Sequence, residues 1–367
     1  MPSRIFNIIF CILFSATLFA QNKFKGKVIN DGDLTPIAGA SVYVNNTSIG
    51  TITNDKGEFS ISNAISGEVI ISFVGFERMI HKLDTGRVSG KFFIFKLVEK
   101  EATLVNVLIL PDALRRRYLE LFKNNFLGLT QEADMSRIIN INAINFAAAT
   151  EKKAFIAYSD TPLTIINKKL GYIIKFDLVE FYYNEQTGQT SFYGYTRYED
   201  MGDKKRWTKN RRQAYYGSTL HFFRSLINNE LEKERFSILT VRADSIKQTN
   251  NQGKSYFKYF DLGIPVTVTD IVKKDITANL HVVSWKDRLM VQYYKNPASK
   301  IYLSKKVLLT GNLPTGVRSY IKINAENIHI DPYGILTDPM NILFSGYWVY
   351  EKAANLLPYN YFPDKIN

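Results

Sequence analysis

The chain has 367 residues, of which 46% are hydrophobic and 14% aromatic, and it carries a formal net charge of +13. That much apolar material excludes an intrinsically disordered chain and is enough for two packed domains. A single cysteine, Cys11, excludes an intramolecular disulfide, and the excess of positive charge favours anionic partners over cationic ones.

Residues 1–20 read as a signal peptide. Arg4 supplies the positive start, Ile5 to Leu18 is an almost unbroken apolar run too short to span a bilayer comfortably, and Ala20 offers a small residue for cleavage. Removal of this segment takes away Cys11 and Arg4, leaving a cysteine-free chain with a charge of +13 − 1 = +12. The expected location is therefore outside the cytoplasm, in the periplasm or associated with the outer membrane. There, nucleic acid is not the expected partner; an envelope protein, an anionic glycan or a lipid headgroup is. No later run is apolar for long enough to cross a membrane as a helix, so no transmembrane helix is expected after cleavage.

From residue 22 to 98 the pattern is one of short strands and tight turns. Lys25 to Ile29 reads as a strand, and Asn30-Asp31-Gly32-Asp33 as a turn. Ser41 to Val44 follows, with Val42 and Val44 on one face. Gly50 to Thr53 and Glu58 to Ile61 flank the turn Asn54-Asp55-Lys56-Gly57, and Phe59 and Ile61 are expected to point inward. Val69 to Phe73 reads as a buried strand broken by Gly75-Phe76, and Lys91 to Leu97 closes the unit. Strands of this length at this spacing indicate a β-sandwich.

The run Gly26-x-Val28, Pro36-Ile37-x-Gly39-Ala40-x-Val42-x-Val44, Thr47-x-x-Gly50-Thr51-x-Thr53-Asn54-x-x-Gly57-x-Phe59-x-Ile61 and Ser72-x-x-Gly75-Phe76 resembles the carboxypeptidase regulatory-like domain. The resemblance covers about a fifth of the chain. It implies a transthyretin-like β-sandwich, a module found beside carboxypeptidases, at the start of TonB-dependent receptors, and in exported proteins of Gram-negative bacteria. It implies no catalysis by the module itself. Asn54 stands where the family usually has Asp, and αL geometry at this position is open to either residue.

Residues 99–111 read as a linker, and 112–367 as a second, larger α+β domain. Asp112 is placed to N-cap a helix carrying Ala113, Leu114, Tyr118, Leu121 and Phe122 at helical spacing and ending near Gly128. Strands are expected over Ala154–Tyr158, Leu163–Ile166 and Leu170–Tyr183, with a hairpin loop at Asn184–Gly188 and a return over Gln189–Tyr198. A single buried helix is expected between Trp207 and Glu234, on two adjoining apolar stripes that include Tyr215, Phe222 and Leu226. Further strands are expected over Ser237–Arg242, Tyr256–Leu262, Val266–Val272, Asn279–Ser284, Leu289–Tyr294, Lys305–Leu309 and Tyr320–Ile323, then a helical tail over Tyr347–Leu357. An outer-membrane barrel is the strand-rich alternative; the buried helix and the many lysines oppose it.

Lys204, Lys205, Arg206, Lys209, Arg211 and Arg212 cluster at the start of the Trp207 helix, where cations oppose the helix dipole. They form a candidate anion or partner site for phosphate, carboxylate or sulfated glycan. The competing reading is a solvated basic run, or pairing with Glu199, Asp200 and Asp203. The residues around Trp207 to Arg224 and Leu356 to Pro363 look like the second region of exported proteins that also carry the regulatory-like sandwich, which implies architecture and no activity.

Catalytic motifs are missing. His81, His221, His281 and His329 show no metal spacing, and no H-x-x-E, G-x-S-x-G, phosphate-loop or dinucleotide motif occurs. Neither metal nor cofactor is expected. The fold class is mainly β, an N-terminal immunoglobulin- or transthyretin-like sandwich followed by a larger strand-rich α+β domain with two or three helices. The expected function is that of a non-enzymatic envelope protein with a docking or spacer sandwich and a second domain that binds a partner protein or an anionic glycan. The alternative is an exported hydrolase using His221, His281 or His329 as its acid–base.

Overall fold

The computed structural model describes residues 23–84, 86, 90–100, 110–249, 255–294 and 316–363. The signal-peptide segment 1–20, most of the linker and the strand expected at Lys305–Leu309 lie outside the described residues. The chain divides into two units, one ending at Leu104 and one beginning at Val105.

Among the described residues the first unit has seven strands: β1 (Phe24–Asn30), β2 (Ser41–Val44), β3 (Gly50–Ile52), β4 (Glu58–Ile61), β5 (Gly67–Ser72), β6 (Met79–Leu83) and β7 (Phe92–Leu97). They form a three-stranded sheet in the order β4-β1-β7 and a four-stranded sheet in the order β3-β2-β5-β6. Alternation decides what meets between them. Phe24, Val28, Phe59, Ile61 and Phe95 from one sheet close on Val42, Val44, Val69, Ile71 and Leu83 from the other. β6 has no expected counterpart, because Met79-Ile80-His81-Lys82-Leu83 mixes charge and apolar side chains on an edge strand. Asn54 does not take a left-handed conformation. Its Oδ1 accepts the N–H groups of Lys56 and Glu58 at 3.0 and 2.9 Å, a task Asp performs equally well. The left-handed residue of that turn is Gly57, φ +73°, where a Cβ would sit 2.5 Å from the Val28 carbonyl oxygen.

In the second unit α1 (Asp112–Leu127) lies on a six-stranded antiparallel sheet. Pro111 is the N-cap and makes no side-chain cap, so Asp112 begins the helix instead of capping it and contributes a charge to the first turn. After α2 (Gln131–Asp134) come β8 (Ser136–Ile138), β9 (Ile144–Ala148), β10 (Ala154–Ser159), β11 (Leu163–Asn167), β12 (Tyr172–Asn184) and β13 (Thr190–Asp200). The order is β8-β11-β12-β10-β9, with β13 paired to β12. β12 is long enough for β11 to pair with its first half and β10 with its end. Phe122 and Phe126 of α1 meet Phe181 and Phe176 of β12 with ring centres 4.8 and 5.0 Å apart. Aromatic pairs at such distances add about 0.5–1.5 kcal/mol each beyond the burial of their area.

The helix expected between Trp207 and Glu234 is two helices, α3 (Lys205–Tyr215) and α4 (Thr219–Ile227). Gly217 takes φ +88°, and Ser218 caps α4 by accepting the His221 N–H. Ser218 is thus the residue that starts the second helix. α4 covers a five-stranded sheet in the order β15-β14-β18-β19-β21, made of β14 (Phe236–Thr249), β15 (Ser255–Pro265), β18 (Arg288–Tyr293), β19 (Val317–Ile323) and β21 (Ile342–Gly346). The strand expected over Val266–Val272 is a short helix, α5 (Val268–Ile271), started by a Thr267–Asp270 capping box. Then β16 (Val272–Asp275), β17 (Leu280–Val283) and β20 (Ile328–Ile330) form a small sheet.

The tail departs from its expected helix. Tyr347–Tyr350 is a 3₁₀ turn, and Ala353, Ala354 and Leu357 then seal the core beneath α1. Arg224, 7% exposed, holds this tail by donating to the carbonyl oxygens of Tyr333, Tyr361 and Tyr359 at 2.9, 2.7 and 2.8 Å. Among the described residues no helix is long and apolar enough to cross a membrane.

Candidate functional site: the cationic helix over 205–215

α3 is docked by one face. Trp207, Asn210 and Arg211, at positions i, i+3 and i+4, point the same way and donate to four successive carbonyls of the β11–β12 turn. Trp207 Nε1 reaches Lys168 O at 3.0 Å, and Asn210 Nδ2 reaches Lys169 O at 2.7 Å. Arg211 donates from Nε to Leu170 O at 2.7 Å and from Nη2 to Gly171 O at 2.9 Å. Gly171 is left-handed, φ +73°, and the Trp207 indole lies where a Cβ would stand.

Arg211 also closes on Asp200 through both terminal nitrogens, at 2.8 and 2.7 Å, and its guanidinium carbon sits 3.9 Å from the Tyr172 ring centre. Burial pushes the Tyr172 phenol up, against the opposing pull of Arg211. For Asp200, burial pushes the carboxyl upward. The hydrogen bonds from Arg211 and the Gly202 N–H, with the Arg211 charge, outweigh it and hold the group below the usual range. Arg211 is thereby withdrawn from any surface anion site. Its charge is already matched and its donors are engaged inside the fold.

The other five cations are differently placed. Lys204, Lys205, Arg206 and Lys209 are exposed, and Arg212 is half-buried. Lys204 and Arg206 lie over the Trp207 ring, at 4.6 and 5.6 Å from its centre. None of the five makes an ion pair or a side-chain hydrogen bond, and Arg212 Nε is buried without a partner. Lys204 is the N-cap and gives no capping bond, and no acidic residue stands in the first turn. The free N–H groups of that turn and the cations around them have the same sign. Thus the surface is positively charged, and its charge is not neutralised from within. Sequence reasoning missed Lys168, an exposed cation in the turn that receives Trp207. The signal was Lys168-Lys169 placed between two strands, and nothing local connects that pair with residues 40 positions later.

The histidines do not assemble. His221 is 2% exposed; its Nδ1 accepts the Gly217 N–H at 3.1 Å, so Nε2 carries the proton that meets Glu234 Oε2 at 3.1 Å. On the small sheet, His281 pairs opposite Ile330 and His329 opposite Val282. Alternation therefore sends the two histidines to opposite faces. His329 Nδ1 lies 3.6 Å from Asp338 Oδ2. Among the described residues no group of three or more His, Cys, Asp or Glu side chains could hold a metal ion.

Residues 24–109 match the model of the CarboxypepD_reg-like domain, a span that covers the sandwich and excludes the cationic helix. No curated protein matches the chain. The N-terminal β domain of this family and the larger strand-rich domain behind it are thus the architecture of the molecule.

Proposed function

We propose that this is an exported envelope protein that binds rather than transforms its ligand. The sandwich serves as a docking or spacer module, and the second unit presents the face of α3 to an anionic ligand of the envelope. One observation carries the reading: Lys204, Lys205, Arg206 and Lys209 stand exposed and without carboxylate partners on a helix whose other face is pinned by four side-chain-to-carbonyl bonds. A rigid support for unpaired cations is what an anion-binding surface requires, since little side-chain or backbone order is lost on binding. The apolar run over Ile5–Leu18 supports export.

The test is to crosslink the mature chain in its native envelope and compare it with a Lys205→Glu/Lys209→Glu form. The reading expects an anionic polymer to co-purify with the native chain and to be lost from the charge-reversed one. A stoichiometric protein partner captured equally by both forms would contradict it.

A further inference from the structure

The exposed residues of α3 are not scattered. An α-helix turns about 100° and rises about 1.5 Å per residue, so Lys205, Lys209 and Arg212 fall within about 60° of arc and advance by about 6 and then about 4.5 Å along the axis. They form one row. Arg206 and Gln213 flank it on one side and Thr208 on the other, while Trp207, Asn210, Arg211 and Tyr215 face the fold. Arg212, half-buried, closes the row, and its Nε is buried without a hydrogen-bond partner.

The composition of this face narrows its ligand. Helices that bind a lipid surface pair their cations with exposed apolar side chains that enter the headgroup layer. Here the outward positions are Lys205, Arg206, Thr208, Lys209, Arg212 and Gln213, with no apolar member. Single-stranded nucleic acid is held by exposed aromatic rings, and the one indole on this helix is 3% exposed. A peptide gains most of its affinity from anchors buried in pockets, and no apolar side chain on this face could line one. Cations in a line, with a hydroxyl and an amide group beside them, suit a hydroxyl-rich chain that carries one anion per sugar.

We infer that α3 reads an anionic glycan lengthwise, with Lys205, Lys209 and Arg212 each meeting a successive carboxylate or sulfate. This rests on the anion-binding reading above and adds the shape of the ligand. Arg212 is the specificity element of the row, because a fork of donors takes an oxyanion in two places where an ammonium takes it in one.

The experiment is equilibrium binding of oligogalacturonates, from the monomer upward, to the full mature chain at several salt concentrations. Affinity is expected to climb steeply to the trimer and then level off. Lys205→Gln, Lys209→Gln and Arg212→Gln are each expected to lower the salt slope by about one. Arg212→Lys, which keeps the charge and the stem, is expected to retain the salt slope and lose affinity, with circular dichroism unchanged. Equal affinity for all chain lengths, or a salt slope untouched by the three variants, would overturn the row while leaving an anion-binding surface in place. Vesicles of anionic phospholipid bound in preference to the oligomers would overturn it in the same way. No binding of any anionic probe would remove both readings.

Discussion

Arg211 grips Asp200 with both terminal guanidinium nitrogens, at 2.7 and 2.8 Å, from a position where the arginine is 7% exposed and two backbone carbonyls share its remaining donors. That pairing joins the last residue of β13 to the middle of α3, and it orients the cationic face. Asp200 is exposed and would be left to water, whereas the Leu170 carbonyl would lose the donor that Arg211 gives it. Arg211→Ala should therefore destabilise the second unit by about 1–3 kcal/mol. Arg211→Lys should recover only part of this, since an ammonium cannot reach Asp200 and two carbonyls together. Chemical denaturation followed by far-ultraviolet circular dichroism measures both. Because Asp200 is held below the usual carboxylate range, the stability it contributes is present above its unfolded value and lost as pH falls.

Gly171 marks the close approach of the β11–β12 turn to Trp207. Gly171→Ala would force a Cβ into the indole and a left-handed backbone onto alanine. The expected cost is about 1–3 kcal/mol. Lys204 and Arg206 would lose their seat over the ring, so the variant should show altered tryptophan emission together with weakened anion binding. Unchanged emission and unchanged affinity would separate the turn from the site.

His221 joins α4 to the break that precedes it. It accepts the Gly217 N–H and donates to Glu234, while Trp348 Nε1 donates to the Gly217 carbonyl at 2.8 Å. His221→Phe keeps much of the ring packing against Tyr215, Tyr216 and Phe236 but leaves the buried Gly217 N–H without an acceptor. Such a loss costs about 1–3 kcal/mol. A fall in melting temperature of this origin, in a protein that still binds its anionic ligand, assigns the histidine to structure. If the variant kept its melting temperature and lost a hydrolytic turnover, the acid–base role would stand instead.

Glu351 sets a pH dependence. Burial pushes its carboxyl up to about 8, with the Glu132 charge adding to the effect and a hydrogen bond from Tyr347 opposing it. The folded chain holds this proton more tightly than the unfolded chain does. Stability therefore falls as pH rises from about 4.5 to about 8, by at most about 1.4 kcal/mol per pH unit from this group, and levels off above. Glu351→Gln should flatten that slope across the window, as read by denaturation at fixed temperature.

Much of the sandwich was legible because its turns announce themselves: Asn30-Asp31-Gly32-Asp33 and Asn54-Asp55-Lys56-Gly57 separate runs with period two. The break at Gly217 was hidden because the stripe through Tyr215, Phe222 and Leu226 carries helical spacing across it. Both helices bury the same side, so periodicity sees one helix, and only the Gly217-Ser218 pair marks the stop and the new cap. Val268–Ile271 was missed for a different reason. The seven residues Val266–Val272, β-branched except at Asp270, read as a strand, although Thr267 and Asp270 form a capping box. The basic cluster itself was visible. That Arg211 belongs to the interior was not, because its acceptors, Leu170 and Gly171, lie some 40 residues earlier and are backbone atoms, which leave no trace in side-chain pattern.

The most direct test of the account is the affinity of the mature chain for an anionic glycan at low and at high salt, beside a Lys204→Glu/Lys205→Glu/Lys209→Glu form shown to be folded. The account predicts tight binding at low salt, loss at high salt, and no binding by the reversed form at either. Binding that survives both high salt and charge reversal would contradict it, and would move the site away from α3.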